Sequence, residues 1–207
     1  MALVKKTQVE PVAADERRLP RDFAGLCRQL AGSDAVARRW AARDLAAYPE
    51  AARVLVGRLA GEPDAGVREA IFLSLVQIAD AAAVAGLVDC LRSDDAHLRN
   101  EAIEAMKLLP DAVAPIMTGL LADADPDVRI FAVNVLESLR HPDVEKWLID
   151  VIERDVHVNV CATAVDLLGE VGTEAALAPL QGLKARFGAE PYIVFAADLA
   201  IKRIRES

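Results

Sequence analysis

Apolar residues recur along most of the chain three or four positions apart, the spacing that lines one face of an α-helix. One stripe starts at Ala37, Val67, Leu98, Val128 and Val158 and continues through Ala41, Ile71, Ala102, Ala132 and Ala162. It passes Leu45, Leu75, Met106 and Leu136, and ends near Tyr48, Ile78, Leu109, Leu139 and Gly169. A companion stripe precedes each of these, at Leu26, Val56, Leu87, Met117 and Trp147, and again four residues later at Leu30, Ala60, Leu91, Leu121 and Val151. Pro49, Asp80, Pro110, Pro142 and the stretch from Gly169 to Gly172 fall between the pairs, where a missing donor or a flexible backbone ends a helix. The pattern predicts a series of helical hairpins.

The hairpins repeat. Asp34, Asp64, Asp95, Asp125 and Asp155 stand 30 or 31 residues apart, each three positions ahead of a second-helix stripe. Arg38, Arg68, Arg99 and Arg129 follow four positions after the first four, and Asn159 breaks the series in the fifth unit. An aspartate just ahead of a helix can accept from free backbone amides, which makes it a cap. The arginine can reach a carboxylate of its own or the adjacent repeat and build a ladder of charge-assisted contacts. A residue needed once for chemistry has no reason to recur five times. A sixth unit is expected from Leu177 to Ile204, with Glu190 in the aspartate's place and Ile193, Ala197, Ile201 and Ile204 as its stripe. The expected fold is therefore all-α, a right-handed α-solenoid of five to six helical hairpins forming one domain over residues 21–207. Residues 1–20 fall outside the repeat and are expected to form a flexible N-terminal tail.

Units of about 30 residues with Asp, then Val-Arg, then Ala resemble the HEAT repeat superfamily, in particular its short bacterial class named for phycobilisome lyases. Asp125-Pro-Asp-Val-Arg129 with Ala132 and Leu136 is the nearest copy of that pattern, and Asp64-Ala-Gly-Val-Arg68 the next. The resemblance covers residues 22–204. It implies the fold; the family holds scaffolds, assembly chaperones, lyase subunits and a few enzymes, so it implies no single activity. Iron hydroxylases of this kind use paired His-Glu dipeptides, which are absent here.

Composition narrows the function classes. A net charge of -8 and a pI of about 5.0 remove the positive field that draws proteins onto nucleic acid or anionic lipid. Cys27, Cys90 and Cys161 lie far apart in apolar surroundings and suggest neither a disulfide framework nor a zinc site. His97 and His157 occupy one repeat position two units apart, about 20 Å by helix spacing, too far to share an ion. No phosphate-binding glycine loop or nucleophile elbow occurs. The chain is thus expected to be no enzyme and to hold no metal or cofactor. No apolar run is long enough to span a bilayer, so a cytoplasmic protein is the expectation.

What remains is a protein-binding surface. In an array of this type the second helices line the inner curve, and the residues opposite their core stripe form a groove. Trp40, Arg39 and Arg43 make its first end basic. Leu73, Ile130, Val160, Leu167, Phe195 and Leu199 make the rest, and above all the last end, apolar. An exposed apolar patch marks an interface, and the expectation is a scaffold or adaptor that receives an amphipathic helix or extended segment of a partner protein. The resemblance leaves two alternatives, a bilin lyase-like subunit and a nucleic-acid-binding protein of the DNA glycosylase kind. The second would use Arg38, Arg39, Trp40 and Arg43. The polar end at Lys202, Arg203, Arg205 and Glu206 points to a monomer.

Overall fold

The computed structural model describes residues 20–206. Apart from Pro20, the tail assigned to residues 1–20 lies outside them. The described residues form twelve α-helices and no strand, paired as six hairpins: α1 (Phe23–Leu30) with α2 (Ala35–Leu45), α3 (Ala52–Leu59) with α4 (Ala65–Ile78), and α5 (Ala81–Leu91) with α6 (Ala96–Lys107). The series continues with α7 (Pro110–Leu121) and α8 (Pro126–Leu136), α9 (Val144–Arg154) and α10 (Val158–Val171), then α11 (Leu177–Arg186) and α12 (Pro191–Glu206). Each even helix packs on the next even helix, from α2 to α12, and from α3 onward the odd helices form a second row beside them. This is an α-solenoid in which each unit buries its apolar face only with its neighbours' help.

The stripes read from the sequence form the seam between the two rows. Leu26, Leu45, Leu75, Leu87, Met106 and Leu136 are fully enclosed. Asp34, Asp64, Asp95 and Asp125 cap α2, α4, α6 and α8, each accepting from backbone amides in the first turn, with Asp34 Oδ1 2.7 Å from the Val36 nitrogen. The two-residue link from α4 to α5 is made by Ala79 in the left-handed region (φ 53°) and by Asp80, whose carboxylate caps α5. In the sixth unit Ile193, Ala197, Ile201 and Ile204 are buried as the spacing predicts.

Two registers differ from the sequence reading, and turn length explains both. The α3–α4 turn, residues 60–64, holds one residue more than the four-residue turn joining α1 to α2. The buried stripe of α3 is accordingly Leu55 and Leu59, while Val56 is half-buried and Ala60 exposed. The α9–α10 turn is only residues 155–157, and α10 starts three residues after Asp155 instead of one. Asp155 therefore ends α9, His157 stands at the N-terminal boundary of α10, and every later position of the fifth unit shifts by two. Cys161, not Asn159, occupies the arginine's place, and His157 no longer matches His97.

Candidate functional site

The recurrent arginines are structural. Arg38 Nη1 donates to the carbonyls of Gly32 (3.2 Å) and Ser33 (2.8 Å), and Arg99 and Arg129 repeat this in their own turns through Ser93 (2.6 Å) and Asp123 (2.8 Å). The far side of the guanidinium reaches the next unit. Arg38 clasps Glu62 with two bonds of 2.8 and 2.7 Å, and Arg129 clasps Asp155 with bonds of 2.7 and 3.0 Å. The partner carboxylate sits two residues before the cap position, in the turn of the following hairpin. Burial by itself would raise the Glu62 carboxyl, but hydrogen bonds from Arg38, the Asp64 amide and Arg58 outweigh it and bring it down to about 2. Burial opposes and Arg129 likewise lowers the Asp155 carboxyl. In the fifth unit, where Cys161 replaces the arginine, Arg186 of α11 turns back instead. Its guanidinium donates to the carbonyls of Ile152 (2.7 Å) and Asp155 (2.9 Å), to that of Glu153, and to Cys161 Sγ (3.4 Å).

The surface left for a partner is the face of the even helices turned away from the odd row. Arg39 and Arg43 are exposed there, Trp40 is half-buried, and the Arg43 guanidinium lies 5.5 Å from the indole centroid. Arg38, the fourth member of the basic cluster, is 5% exposed and committed to Glu62, which removes it from any nucleic-acid contact. Leu73 is 51% exposed and Phe195 66%, with Leu199 beside it and Ile130 half-buried. Val160 and Leu167 do not belong to this surface. The two-residue lag of α10 rotates them inward, to 0% and 7% exposure. Thr163, Asp166 and Glu170 take their place on the open face, so the expected continuous apolar end is interrupted by polar residues.

The apolar surface thus falls into two patches. The first is a cleft of about 720 Å³ lined by Phe72, Leu73, Val76 and Leu108 together with Glu69, Glu101, Glu104, Lys107 and Arg140. The second lies on α12, where Tyr192, Phe195 and Leu199 are exposed and the Tyr192 hydroxyl reaches Asp166 Oδ2 at 3.4 Å. Leu108 and Tyr192 escape the sequence pattern because neither stands opposite the core stripe within a helix body: Leu108 follows the last residue of α6, and Tyr192 follows Pro191 in the first turn of α12. Among the described residues no cluster of His, Cys, Asp or Glu has metal-binding geometry, and no helix is long and apolar enough to cross a membrane.

A family model for HEAT repeats matches residues 23–107 and 113–186. Among solved structures, the chain is similar to the archaeal HEAT-like repeats protein of Thermococcus onnurineus, at 16% identity over 87% of this chain and 86% of that one, TM-score 0.47. A designed armadillo repeat protein in complex with the peptide (KR)4 is similar at 18% identity over 86% of this chain and 98% of the other, TM-score 0.46. The complex of CpcE and CpcF of phycocyanin lyase from Nostoc sp. is similar at 18% identity over 98% and 100%, TM-score 0.38. No curated protein matches the chain.

Proposed function

This chain belongs to the HEAT repeat family, and from that premise we propose that it is a non-catalytic scaffold whose even-helix face holds a segment of a partner protein. One observation carries the reading: Leu73, Leu108, Tyr192, Phe195 and Leu199 stand in solvent on an array whose core is already closed without them. Apolar side chains gathered into patches above a finished core lower the free energy of association once a partner covers them. The recurring polar groups that could have suggested catalysis, the aspartates and arginines, are occupied in caps and inter-unit bonds. The protein so read is a cytoplasmic monomer whose charge of -8 keeps copies apart.

The experiment is affinity capture with site-specific photo-crosslinkers placed at Arg43, Leu73 and Leu199 on the even face and at Arg53 on the odd face. A protein crosslinked from the even face and lost on Leu73→Asp supports the scaffold. Crosslinks from Arg53 alone, or turnover of a small molecule by the purified chain, overturn it.

A further inference from the structure

One seam of the arginine ladder is incomplete, at the join between the second and third hairpins. In the turns of the second to fifth hairpins, the side chain two residues before the cap position accepts from the backbone amide at that position. Glu62 Oε1 accepts from the Asp64 nitrogen (3.0 Å), Ser93 Oγ from that of Asp95 (3.1 Å), Asp123 Oδ1 from Asp125 (2.9 Å) and Asp155 Oδ1 from His157 (2.8 Å). Glu62, Asp123 and Asp155 are carboxylates, and each also receives a guanidinium from the preceding hairpin, those of Arg38, Arg92 and Arg129. Ser93 has a single oxygen, already taken by the Asp95 amide.

The arginine that faces Ser93 shows the gap. Arg68 Nη1 donates to the Glu62 carbonyl of its own turn at 3.2 Å, as Arg38 does to Gly32, so the rest of the guanidinium is turned toward the α5–α6 turn. There it helps to hold down the Asp95 carboxyl, after the His97 amide. Yet Arg68 Nε is buried with no hydrogen-bond partner among the described residues. Glu101 Oε2, reaching across from α6, stands 3.5 Å away and is itself buried and unbonded. The corresponding clasps at Arg38 and Arg129 close at 2.8 and 2.7 Å. A buried donor and acceptor that face each other without bonding leave their desolvation uncompensated.

We propose that Ser93 is a phosphorylation site whose phosphate completes the clasp with Arg68 and locks the second hairpin to the third. The phosphoryl donor is a nucleoside triphosphate held by a protein kinase. The Ser93 oxygen bonds to the γ-phosphorus, the bond from that phosphorus to its bridging oxygen breaks, nucleoside diphosphate leaves, and the hydroxyl proton passes to a base of the kinase. Ser93 is half-buried, and its neighbours Arg92, Asp94 and Asp95 are exposed at the edge of the array. From Cβ through Oγ and phosphorus to a terminal oxygen there are as many bonds as from Glu62 Cβ to its Oε atoms, so the phosphate covers the reach that Glu62 covers. It carries a charge of about -1.5 to -2 at neutral pH and suits the arginine fork. Arg92, and Arg99 through its 2.6 Å bond to the Ser93 carbonyl, offset Asp94 and Asp95 in the same turn. Glu101 gives way: its side chain is 32% exposed, and it also lines the first cleft, so the exchange alters the charge beside that apolar patch.

The test uses the full chain with phosphoserine incorporated at position 93 and the unmodified chain, each with and without Arg68→Gln. Phosphoserine is expected to raise the Tm of the Arg68 chain by about 2 to 4 °C, and the gain should vanish in Arg68→Gln. The comparison is made within each background, so the cost of the arginine substitution itself cancels. Phosphorus NMR supplies a readout that a bystander phosphate would not move: the second ionisation should fall below its ordinary value of about 6 in the Arg68 chain, which needs no variant to fold. An unchanged or lower Tm, an ordinary ionisation, or a gain that survives Arg68→Gln overturns the proposal. So does an equal rise in Tm when inorganic phosphate is added to the unmodified chain, which would mark a site for a free anion. Mass spectrometry of the chain isolated from its own cells should find the phosphate on Ser93; phosphate elsewhere or nowhere across growth phases overturns the assignment. No partner enters these measurements, so they can fail while the scaffold function stands.

Discussion

At the scale of single residues, the arginine four positions after each cap does the joining. Arg38 shows its full form: 5% exposed, it binds two carbonyls of its own turn and the carboxylate of Glu62, itself 4% exposed, in the next. Removing one partner of such a pair strands the other's charge away from water, which costs about 3 kcal/mol or more. Glu62→Gln is expected to destabilise the fold by that order in urea denaturation at neutral pH. The pH dependence follows from the carboxyl's position. Because the folded chain holds Glu62 at about 2, below the ordinary glutamate value of about 4.3, acid protonates the unfolded chain first. The stabilisation is complete above that ordinary value and is lost as pH falls toward 2. Asp155, lowered by Arg129, adds in the same direction. Thermal denaturation from pH 6 downward should therefore show a shallower acid decline for Glu62→Gln than for the parent chain; parallel curves would refute the assignment.

At the scale of elements, the odd row is uneven. Helices α3 and α5 approach so closely at Gly86 that a Cβ built there lies 2.1 Å from Val56 Cγ2. A glycine inside a helix ordinarily gains up to about 1 kcal/mol on replacement by alanine. Here Gly86→Ala is expected to lose stability, by about 1 to 3 kcal/mol, and Val56→Ala in the same chain should recover part of the loss; chemical denaturation of the single and double variants measures it. This contact also shows where sequence reading stops. The period predicts Val56 in the core, but spacing from the aspartates holds only where the turns are equal. The extra residue among Gly61, Glu62 and Pro63 turned the helix by one position, putting Leu55 inward and Val56 against Gly86. The shorter turn at Asp155 did the same to α10 and carried Val160 and Leu167 from the expected groove into the core. The hairpins, and the caps and even-row stripes of the first four, were legible because they depend on local spacing. The groove's composition was not, because it depends on turn lengths that two aspartates, Asp125 and Asp155, standing the usual 30 residues apart conceal.

At the scale of the molecule, stability is a sum over units and the seams between them. The last hairpin covers α10, whose Val160, Ala164, Val165 and Leu168 are fully buried, and it supplies Arg186 to the carbonyls at the end of α9. A chain truncated after Gly172 is expected to lose more than one hairpin's share: the fifth unit should fray with it, seen as a lower Tm and loss of hydrogen-exchange protection in both α9 and α10. Protection retained through α10 would mean that the fifth unit closes by itself.

The odd row has another property at this scale. Clefts of about 620 Å³, 340 Å³ and 360 Å³ open between α5 and α7, between α7 and α9, and between α9 and α11, whereas α3 and α5 touch at Gly86. Drawing the odd helices together therefore closes empty space from α5 onward but compresses side chains already in contact at Gly86. The third to fifth hairpins lie between the two apolar patches, so any such bending changes the distance from one patch to the other.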